Sequence, residues 1–321
     1  MRVLFIHIGH DKTGSSYLQS HFARNQKTLA KHGFTYPVGE ASRRAAVRGM
    51  ATSGTQNDNT LEQRLADTIE TNDVLLSYEG FFNRLAEHPN EEIERWQRWC
   101  DTLCFDKIKV LLFVRDPVSH ASSTYLQMVR AEGHYGDLDA YVARYNRPLI
   151  VWNVLNTLKK ASNIDVTVHS YSREKSKLLE LTLNWLSPDR EIEFDLKRQD
   201  ELVNRGMTDE EVIVALRANR RSPSWGSNLA KLSLVQRPKL KSTLLIGSHG
   251  AQEVMVANNR HAMKKVNDLV GIESGYQIDF QEPRHAEANS LALFKALSQL
   301  MLAVGKQSLR QFASRLKGRL R

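Results

Sequence analysis

The sequence predicts an α/β protein that has a parallel β-sheet, flanking helices and a mostly helical C-terminal part. Short apolar segments alternate with helical stretches, which is typical of parallel strands joined by right-handed crossovers. One apolar segment has no polar interruption, as expected for a central strand that is covered on both faces. Beyond residue 200 the pattern is almost wholly helical. The predicted strands are Val3–Ile8, Val74–Ser77, Val110–Val114 and Ile164–Val168.

Helical stretches fill the gaps between the predicted strands. Leu18, Phe22 and Leu29 recur at helical spacing, and Gly33 is expected to end that helix. Further helices are predicted over 90–104, 117–132 and 173–186.

Length and composition fit a globular protein. The 321 residues are 41% apolar and 25% charged, which excludes wholesale disorder and a disulfide scaffold. They are predicted to form a single domain over 1–321, with an α/β core over 1–200 and a helical part over 201–321. Cys100 and Cys104, the two cysteines, fall in one predicted helix and are interpreted as buried free thiols, because a thiolate zinc site needs more ligands.

No segment predicts export or membrane insertion. The first apolar run is too short for a secretory signal, and no run approaches the roughly 20 apolar residues of a membrane-spanning helix. The protein is therefore expected to be cytoplasmic.

Basic residues are concentrated in two stretches that lack acidic residues. The net charge is +9, and neither 212–252 nor 288–321 contains an Asp or Glu. Such stretches attract anions such as nucleotide phosphates, acidic glycans or an anionic membrane, and a solvated basic surface is the alternative. No nucleic-acid-binding motif accompanies the charge, so no nucleic-acid partner is predicted. The tail over 306–321 predicts a basic amphipathic helix that either docks on the protein's own core or lies peripherally on the inner membrane face.

A glycine-bracketed loop follows the first predicted strand. Such a turn before a helix presents backbone N–H groups and a helix N-terminus to an anion. The two glycines have the spacing of the ATP-binding pattern GxxxxGK[ST], but Lys12 lies inside the loop instead of after Gly14. The loop therefore predicts a P-loop-like fold and a site for a shorter phosphate chain, with a plain Gly-Ser turn as the alternative. Its sequence is Gly9-His10-Asp11-Lys12-Thr13-Gly14-Ser15-Ser16.

Charged and hydroxyl residues follow the third predicted strand. Asp116 and Pro117 suit the start of a helix, as the N-cap and the first helical residue. Arg115 at the strand end and Ser123 on that helix are expected to converge on one phosphate, through a guanidinium fork and a hydroxyl. A metal-binding role for Asp116 is the alternative, but its capping position already explains this residue.

Together, the two segments resemble the sulfotransferases that use PAPS (3′-phosphoadenosine 5′-phosphosulfate). HIGHDKTGSSYLQ is similar to the 5′-phosphosulfate loop of that family, and FVRDPVSHASSTYLQ is similar to its 3′-phosphate motif. The resemblance is to bacterial, glycan-acting members and covers 1–200. Beyond it, Asn204-Arg205-Gly206-Met207-Thr208, before a helix predicted from Asp209, faintly resembles a nucleotide-contacting segment, and the C-terminal Arg-Lys-Gly signature of cytosolic animal enzymes is absent.

The resemblance implies an enzyme that moves a sulfuryl group from PAPS to an acceptor hydroxyl on a glycan or glycolipid, without a metal ion. Lys12 would stabilise the bridging oxygen as the sulfuryl group leaves. Glu79, just after the second predicted strand, would be the general base, with a helix cap as the alternative role and His10 as the runner-up base. The implied cofactor contacts are Lys12, Thr13, Gly14, Ser15 and Ser16 for the 5′-phosphosulfate, and Arg115 and Ser123 for the 3′-phosphate.

Two other functions stay open. A P-loop kinase of nucleotides or small molecules would need a lysine after the second glycine and a clear metal-binding aspartate, and the sequence has neither. A non-catalytic anion- or glycan-binding module on the same fold is the second alternative. The residues that argue against such a decayed site are Lys12, Ser15, Glu79, Arg115 and Ser123.

Overall fold

A computed structural model describes residues 1–48, 52, 54–55, 60–68, 71–195, 206–236, 240, 242–293 and 298. The tail over 306–321 and the pair Asn204-Arg205 lie outside these residues. The chain divides into two compact units. The first comprises Met1–Pro117, Asn146–Val203 and Val256–Asp279, and the second comprises Val118–Tyr145, Asn204–Met255 and Phe280–Arg321.

The first unit contains a five-stranded sheet in which all paired strands are parallel, as predicted. The four predicted strands are present, and a fifth, two-residue strand was not predicted because it is too short to show a period. The strands are β1 (Val3–His7), β2 (Phe34–Thr35), β3 (Asp73–Ser77), β4 (Lys107–Val114) and β5 (Ile164–Ser170).

Helices connect the strands and form the second unit. In chain order they are α1 (Ser15–Arg24), α2 (Gln26–Lys31), α3 (Glu40–Val47), α4 (Leu61–Ala66), α5 (Gly80–Glu87), α6 (Pro89–Leu103), α7 (Pro117–Ala131), α8 (Leu138–Ala143), α9 (Arg147–Leu158), α10 (Tyr171–Glu174), α11 (Leu178–Leu186), α12 (Asp209–Arg221), α13 (Pro223–Gln236) and α14 (His249–Val270). The first predicted helix is broken at Asn25 into α1 and α2, and Gly33 follows α2 with a φ of 84°.

The strand order is β2-β3-β1-β4-β5, and it has a switch point between β1 and β4. The chain leaves β1 towards β2 and leaves β4 towards β5, so these neighbouring strands have connections that depart in opposite directions. In open parallel sheets, ligands bind at such a switch point, outside the carboxyl ends of the strands. The loop after β1 and the residues after β4 therefore lie where a ligand site is expected.

The predicted apolar face of the first helix packs in the core of the first unit. Leu18, Phe22 and Leu29 are fully buried in one cluster with side chains of the sheet. The Phe5 ring of β1 meets the ring of Trp185 edge to face, with centroids 5.1 Å apart. Burial of this face against the sheet fixes α1, and with it the loop that precedes α1.

The second unit is described by α8, α12, α13 and parts of α7 and α14. The start of α12 at Asp209 is confirmed by a capping box, in which Thr208 and Glu211 exchange side chain–backbone hydrogen bonds. Asn219 of α12 donates to the carbonyl oxygens of Val129 and His134, each at 2.8 Å. These bonds join α12 to the end of α7.

One expectation about the cysteines is wrong. Cys100 is buried, but Cys104 is exposed. The helix α6 ends at Leu103, and Cys104 adopts a left-handed conformation with φ of 55° as its C-cap. Cys104 therefore leaves the helix face on which Cys100 lies.

Among the helices of the described residues, none combines the length and the apolar character that a membrane crossing requires.

Candidate functional site

The loop between β1 and α1 is a tight turn in which three residues have positive φ angles. The φ angles of Gly9, Lys12 and Gly14 are 52°, 60° and 83°. A left-handed backbone is uncommon for a residue with a side chain, and such strain concentrates at binding and catalytic loops. The buried Thr13 hydroxyl donates a hydrogen bond to the His10 carbonyl oxygen and closes the turn. Lys12 is thus held at a defined place on the sheet edge and remains partly exposed.

The loop ends at the N-terminus of α1. Gly14 is the N-cap; its φ is left-handed, and among the described residues no side chain caps this end and no acid lies in the first turn. The first N–H groups of a helix lack intrahelical partners and carry a partial positive charge, so they favour an anion. A Cβ at Gly14 would lie 2.4 Å from Leu178 Cδ2, and a glycine is therefore needed here.

Glu79 follows β3 and lies beside this loop. It occupies the N-cap position of α5, but within the described part of the chain its carboxylate makes no capping hydrogen bond. The Ser15 hydroxyl donates a long hydrogen bond, 3.5 Å, to the His10 carbonyl oxygen, and it also lies close enough to Glu79 to favour the carboxylate form. A Cβ at Gly9 would lie only 3.0 Å from Glu79 Cα, so the backbones of the two strand exits are also close. The expectation that Glu79 and Lys12 share one rim is confirmed, and helix capping does not describe the Glu79 side chain.

The surroundings of Glu79 favour its neutral form. Burial raises the pKa of this carboxyl group, and the negative charge of Asp11 raises it further. The Lys12 ammonium and the nearby Ser15 hydroxyl lower the pKa, but they do not offset the first two effects. A carboxylate with a raised pKa is a stronger base, as proton abstraction from a hydroxyl requires.

Arg115 joins the exit of β4 to this loop. Its Nη1 donates a hydrogen bond to the Lys12 carbonyl oxygen at 2.9 Å. Its guanidinium carbon lies 5.4 Å from the centroid of the Tyr171 ring, which follows β5. The same ring approaches the loop, since Tyr171 Cε2 is 3.3 Å from the position of a Cβ at Gly14. The exits of β1, β4 and β5 therefore meet around Arg115.

Two polar residues of this rim, Ser172 and Arg147, were not predicted from the sequence. The Asp116 backbone N–H donates a hydrogen bond to the hydroxyl oxygen of Ser172 at 2.8 Å. Nη2 of Arg147, the first residue of α9, lies 3.8 Å from Asp11 Oδ1. The rule that function follows strand ends would have found Ser172, which comes just after β5. No local signal marks Arg147, because it begins a helix and follows no strand.

The remaining candidate residues occupy different environments. Ser16 is the second residue of α1 and is partly exposed. Ser123 is partly exposed on α7 in the second unit, whereas Arg115 belongs to the first unit. His10, the runner-up base, is 1% exposed, and its ring centroid lies 4.9 Å from that of Phe82. An imidazole buried in this way is less suited than Glu79 to reach an acceptor hydroxyl.

No protein-family model, curated protein or solved structure matches the chain. The chemistry of the site is therefore argued from its own geometry. Lys12, Arg115 and the N-terminus of α1 offer groups that bind anionic oxygen atoms, and Glu79 offers a base on the same rim. This arrangement can hold a phosphate-bearing ligand and take a proton from a second ligand beside it.

Proposed function

We propose that this protein is a PAPS-dependent sulfotransferase with a P-loop-like fold, and that it sulfates a hydroxyl group of a glycan or glycolipid. The observation that carries the proposal is the placement of Lys12 and Glu79 on one rim, where the backbone of Glu79 closely approaches Gly9 and Lys12 acts on the Glu79 carboxyl group. Sulfuryl transfer needs a cation for the leaving oxygen and a base for the attacking hydroxyl. The sequence of β1, glycine loop and α1 at a switch point supports the P-loop-like assignment.

The donor would bind along the exits of β1 and β4. The N–H groups of the loop and of the first turn of α1 would hold the 5′-phosphate. The hydroxyls of Thr13 and Ser15 both donate to the His10 carbonyl oxygen, so these two residues would contribute mainly through their backbone N–H groups. Arg115 would bind the 3′-phosphate through its guanidinium group, and a contribution of Ser123 stays a prediction.

The transfer step uses Glu79 and Lys12 on opposite sides of the sulfur atom. The acceptor oxygen attacks sulfur and forms a new S–O bond, while the S–O bond to the 5′-phosphate breaks. The electron pair of that bond stays on the phosphate oxygen, next to the Lys12 ammonium. The proton of the acceptor hydroxyl passes to the Glu79 carboxylate. The products are a sulfate ester and PAP, the 3′,5′-bisphosphate of adenosine.

The position of Lys12 distinguishes this proposal from a kinase. A lysine after the second glycine reaches the terminal phosphates of ATP, whereas the position after Gly14 is Ser15, whose hydroxyl donates to the His10 carbonyl oxygen. Lys12 lies within the loop and acts electrostatically on the same carboxylate. It would therefore reach a group attached to the first phosphate, as the sulfuryl group of PAPS is.

Ligand-dependent melting tests the donor. PAP should raise the melting temperature, and ATP with Mg²⁺ should not. A ligand that binds the native state alone stabilises it by about 2.7 kcal/mol at one hundred times its dissociation constant. Equal or greater stabilisation by ATP with Mg²⁺ would favour the kinase alternative.

An acceptor screen then tests the chemistry. Labelled PAPS is incubated with glycans, glycolipids and phenols in parallel, and transfer of the label is measured. Transfer to a glycan or glycolipid is expected. Binding of PAP without transfer to any acceptor would favour the non-catalytic module.

A further inference from the structure

Asn219 organises an exposed corner of the second unit. It is fully buried, and its Nδ2 donates hydrogen bonds of 2.8 Å to the carbonyl oxygens of Val129 and His134. A Cβ at Gly226 would lie 2.8 Å from the Asn219 backbone nitrogen, so α13 packs directly on α12 at this point. The end of α7, the loop that follows it and the start of α13 therefore all contact Asn219.

Exposed side chains surround this buried contact. Trp225 and Tyr135 each adjoin a residue that touches Asn219, and they are 51% and 50% exposed. Arg220 directly follows Asn219 and is exposed as well. Consecutive Cα atoms are about 3.8 Å apart, so the backbones of the two aromatic residues and of Arg220 lie close together.

Two more arginines extend the positive charge beside Arg220. Arg221 ends α12, and Arg217 lies one turn earlier on the same side of the helix; both are exposed. Within the described part of the chain, none of the three arginines forms an ion pair. They lie in the stretch over 212–252 that has no Asp or Glu. The corner therefore attracts anions.

The exposed rings and the arginines suit different parts of one ligand. The C–H groups on the face of a sugar ring pack against the electron-rich face of a Trp or Tyr ring. A guanidinium group binds a carboxylate or a sulfate through two parallel hydrogen bonds. An acidic polysaccharide presents sugar faces and anionic groups at short, regular intervals along one chain, so it matches both kinds of side chain.

We propose that this corner of the second unit is a binding surface for an acidic polysaccharide. The two rings would pack on sugar rings of the chain, and the arginines would bind its carboxylate or sulfate groups. The inference goes beyond the proposed function and does not depend on it, because it involves no sulfuryl donor and no transfer step. The aromatic–arginine corner consists of Tyr135, Arg217, Arg220, Arg221 and Trp225.

The surroundings of the aromatic–arginine corner favour a chain-like ligand over an anionic membrane. Glu132 and Asp137, on either side of Tyr135 in the sequence, are both exposed. A flat membrane would bring its anionic headgroups against these acids, whereas a flexible chain can follow the arginines. Helices that lie on a membrane also bury an apolar face. Over 118–145 and the described part of 204–255 up to residue 236, Tyr135 and Trp225 are the only exposed large hydrophobic side chains.

The test is isothermal titration of the full-length protein with hexagalacturonate and with a hexasaccharide of heparin, which carry carboxylates alone and mainly sulfates. Maltohexaose is the neutral counterpart. At least one acidic hexasaccharide should bind about tenfold or more tightly than maltohexaose, and its binding should weaken as salt is raised. The double change Arg220→Gln with Arg221→Gln should weaken that binding about tenfold or more. Trp225→Ala should weaken it about fivefold or more, although it leaves the charge unchanged.

Matched control variants change residues outside the aromatic–arginine corner. Arg190→Gln with Arg260→Gln removes two exposed arginines of the first unit, and Phe280→Ala removes an aromatic ring that is 47% exposed. Both controls should bind the acidic hexasaccharides like the wild type. Arg115→Ala should do so too, because it changes the candidate site and leaves the corner intact. The corner variants change exposed residues, so they should melt close to the wild type.

Several results would overturn the inference. It is wrong if neither acidic hexasaccharide binds, if maltohexaose binds as tightly, or if the corner variants bind like their controls. A loss in the arginine variant without a loss in Trp225→Ala would reduce the corner to a surface that attracts anions through charge alone. Tighter binding of an oligothymidylate or of anionic vesicles, lost in the same variants, would assign the corner to nucleic acid or to a membrane. The PAP melting experiment and the acceptor screen test the proposed function separately.

Discussion

Arg115 donates a hydrogen bond from Nη1 to the carbonyl oxygen of Lys12 across 2.9 Å. Lys12, which follows β1, has a strained, left-handed backbone with φ of 60°. The hydrogen bond from Arg115, which follows the neighbouring strand β4, holds it in that conformation. Arg115 thus supports the loop and also offers a cation to a ligand, and variants can separate the two effects.

Arg115→Ala should weaken PAP binding by about 10- to 100-fold, because it removes charge-assisted hydrogen bonds to a phosphate. Arg115→Lys should recover only part of the affinity, since a lysine keeps the charge but lacks the planar fork. Isothermal titration with PAP measures both effects. Arg98→Ala, which removes an exposed cation from α6, is the control and should bind PAP like the wild type. Unchanged affinity in Arg115→Ala would remove this residue from the donor site.

Glu79→Gln should separate binding from chemistry. The amide keeps the shape of the side chain but cannot accept the acceptor's proton, so turnover should fall on the order of 10²-fold or more. PAP affinity should stay nearly unchanged, because Glu79 contacts no donor phosphate in the proposal. Steady-state kinetics and PAP titration provide the two measurements, with exposed Glu94→Gln as the control. Full turnover in Glu79→Gln would place the base elsewhere, and His10 would be tested next.

The raised pKa of Glu79 predicts how stability depends on pH. The folded protein holds this proton more tightly than the unfolded chain, because burial raises the pKa of the Glu79 carboxyl group. Through the window from its ordinary value, about 4.3, up to its raised value, the folded state binds more protons. The free energy of unfolding contributed by this group therefore falls as pH rises through that window.

Glu79→Gln removes this titration. The melting temperature of Glu79→Gln relative to wild type should rise as the pH is raised from about 4 to about 8. Thermal melts at several pH values follow the difference, and Glu94→Gln should show no such trend. A difference that does not change with pH would mean that the Glu79 carboxylate is not destabilised in the folded protein.

Two glycines with nearly equal φ angles test the packing of the loop. Gly33 and Gly14 have φ of 84° and 83°, but a Cβ at Gly33 would meet no atom within 4 Å, whereas one at Gly14 would lie 2.4 Å from Leu178. Gly33→Ala should lower the free energy of unfolding by about 1–2 kcal/mol, the cost of a left-handed alanine. Gly14→Ala should cost about 1–3 kcal/mol more, because it also overpacks the core, and should weaken PAP binding. Urea denaturation measures both, and equal losses would show that Leu178 moves aside freely.

The basic tail over 306–321 calls for a truncation experiment, since it lies outside the described residues. If the tail binds the inner membrane face, its removal should leave the protein folded and abolish salt-sensitive binding to anionic vesicles, to which each basic residue adds about 1 kcal/mol. If the tail docks on the core, the truncated protein should melt lower or become insoluble. Vesicle sedimentation and thermal melting distinguish the two.

The sequence determined the parallel sheet and the loops that follow its strands. Runs of apolar residues mark the strands wherever they are long enough to show a period, and among the strands of the described residues this condition fails only for β2, which has two residues. Parallel strands end at the same edge, so the residues after β1, β3 and β4 could be assigned to one rim before any contact was known. The shared rim of Lys12, Glu79 and Arg115 follows from this rule, whereas the roles proposed for them come from the resemblance of their motifs to a known family.

The tertiary structure decided which of these residues touch and what else joins them. Arg115 reaches the Lys12 carbonyl oxygen because β4 lies next to β1, and strand order has no local signature in the sequence. Glu79 lies against Gly9 through a contact between residues far apart along the chain, and its carboxyl group is acted on by Lys12 and Asp11 of the same loop. Periodicity and turn signals report only neighbours within a few residues. Burial, hydrogen-bond partners and the raised pKa of Glu79 depend on the packing of distant segments, and so only the folded chain defines them.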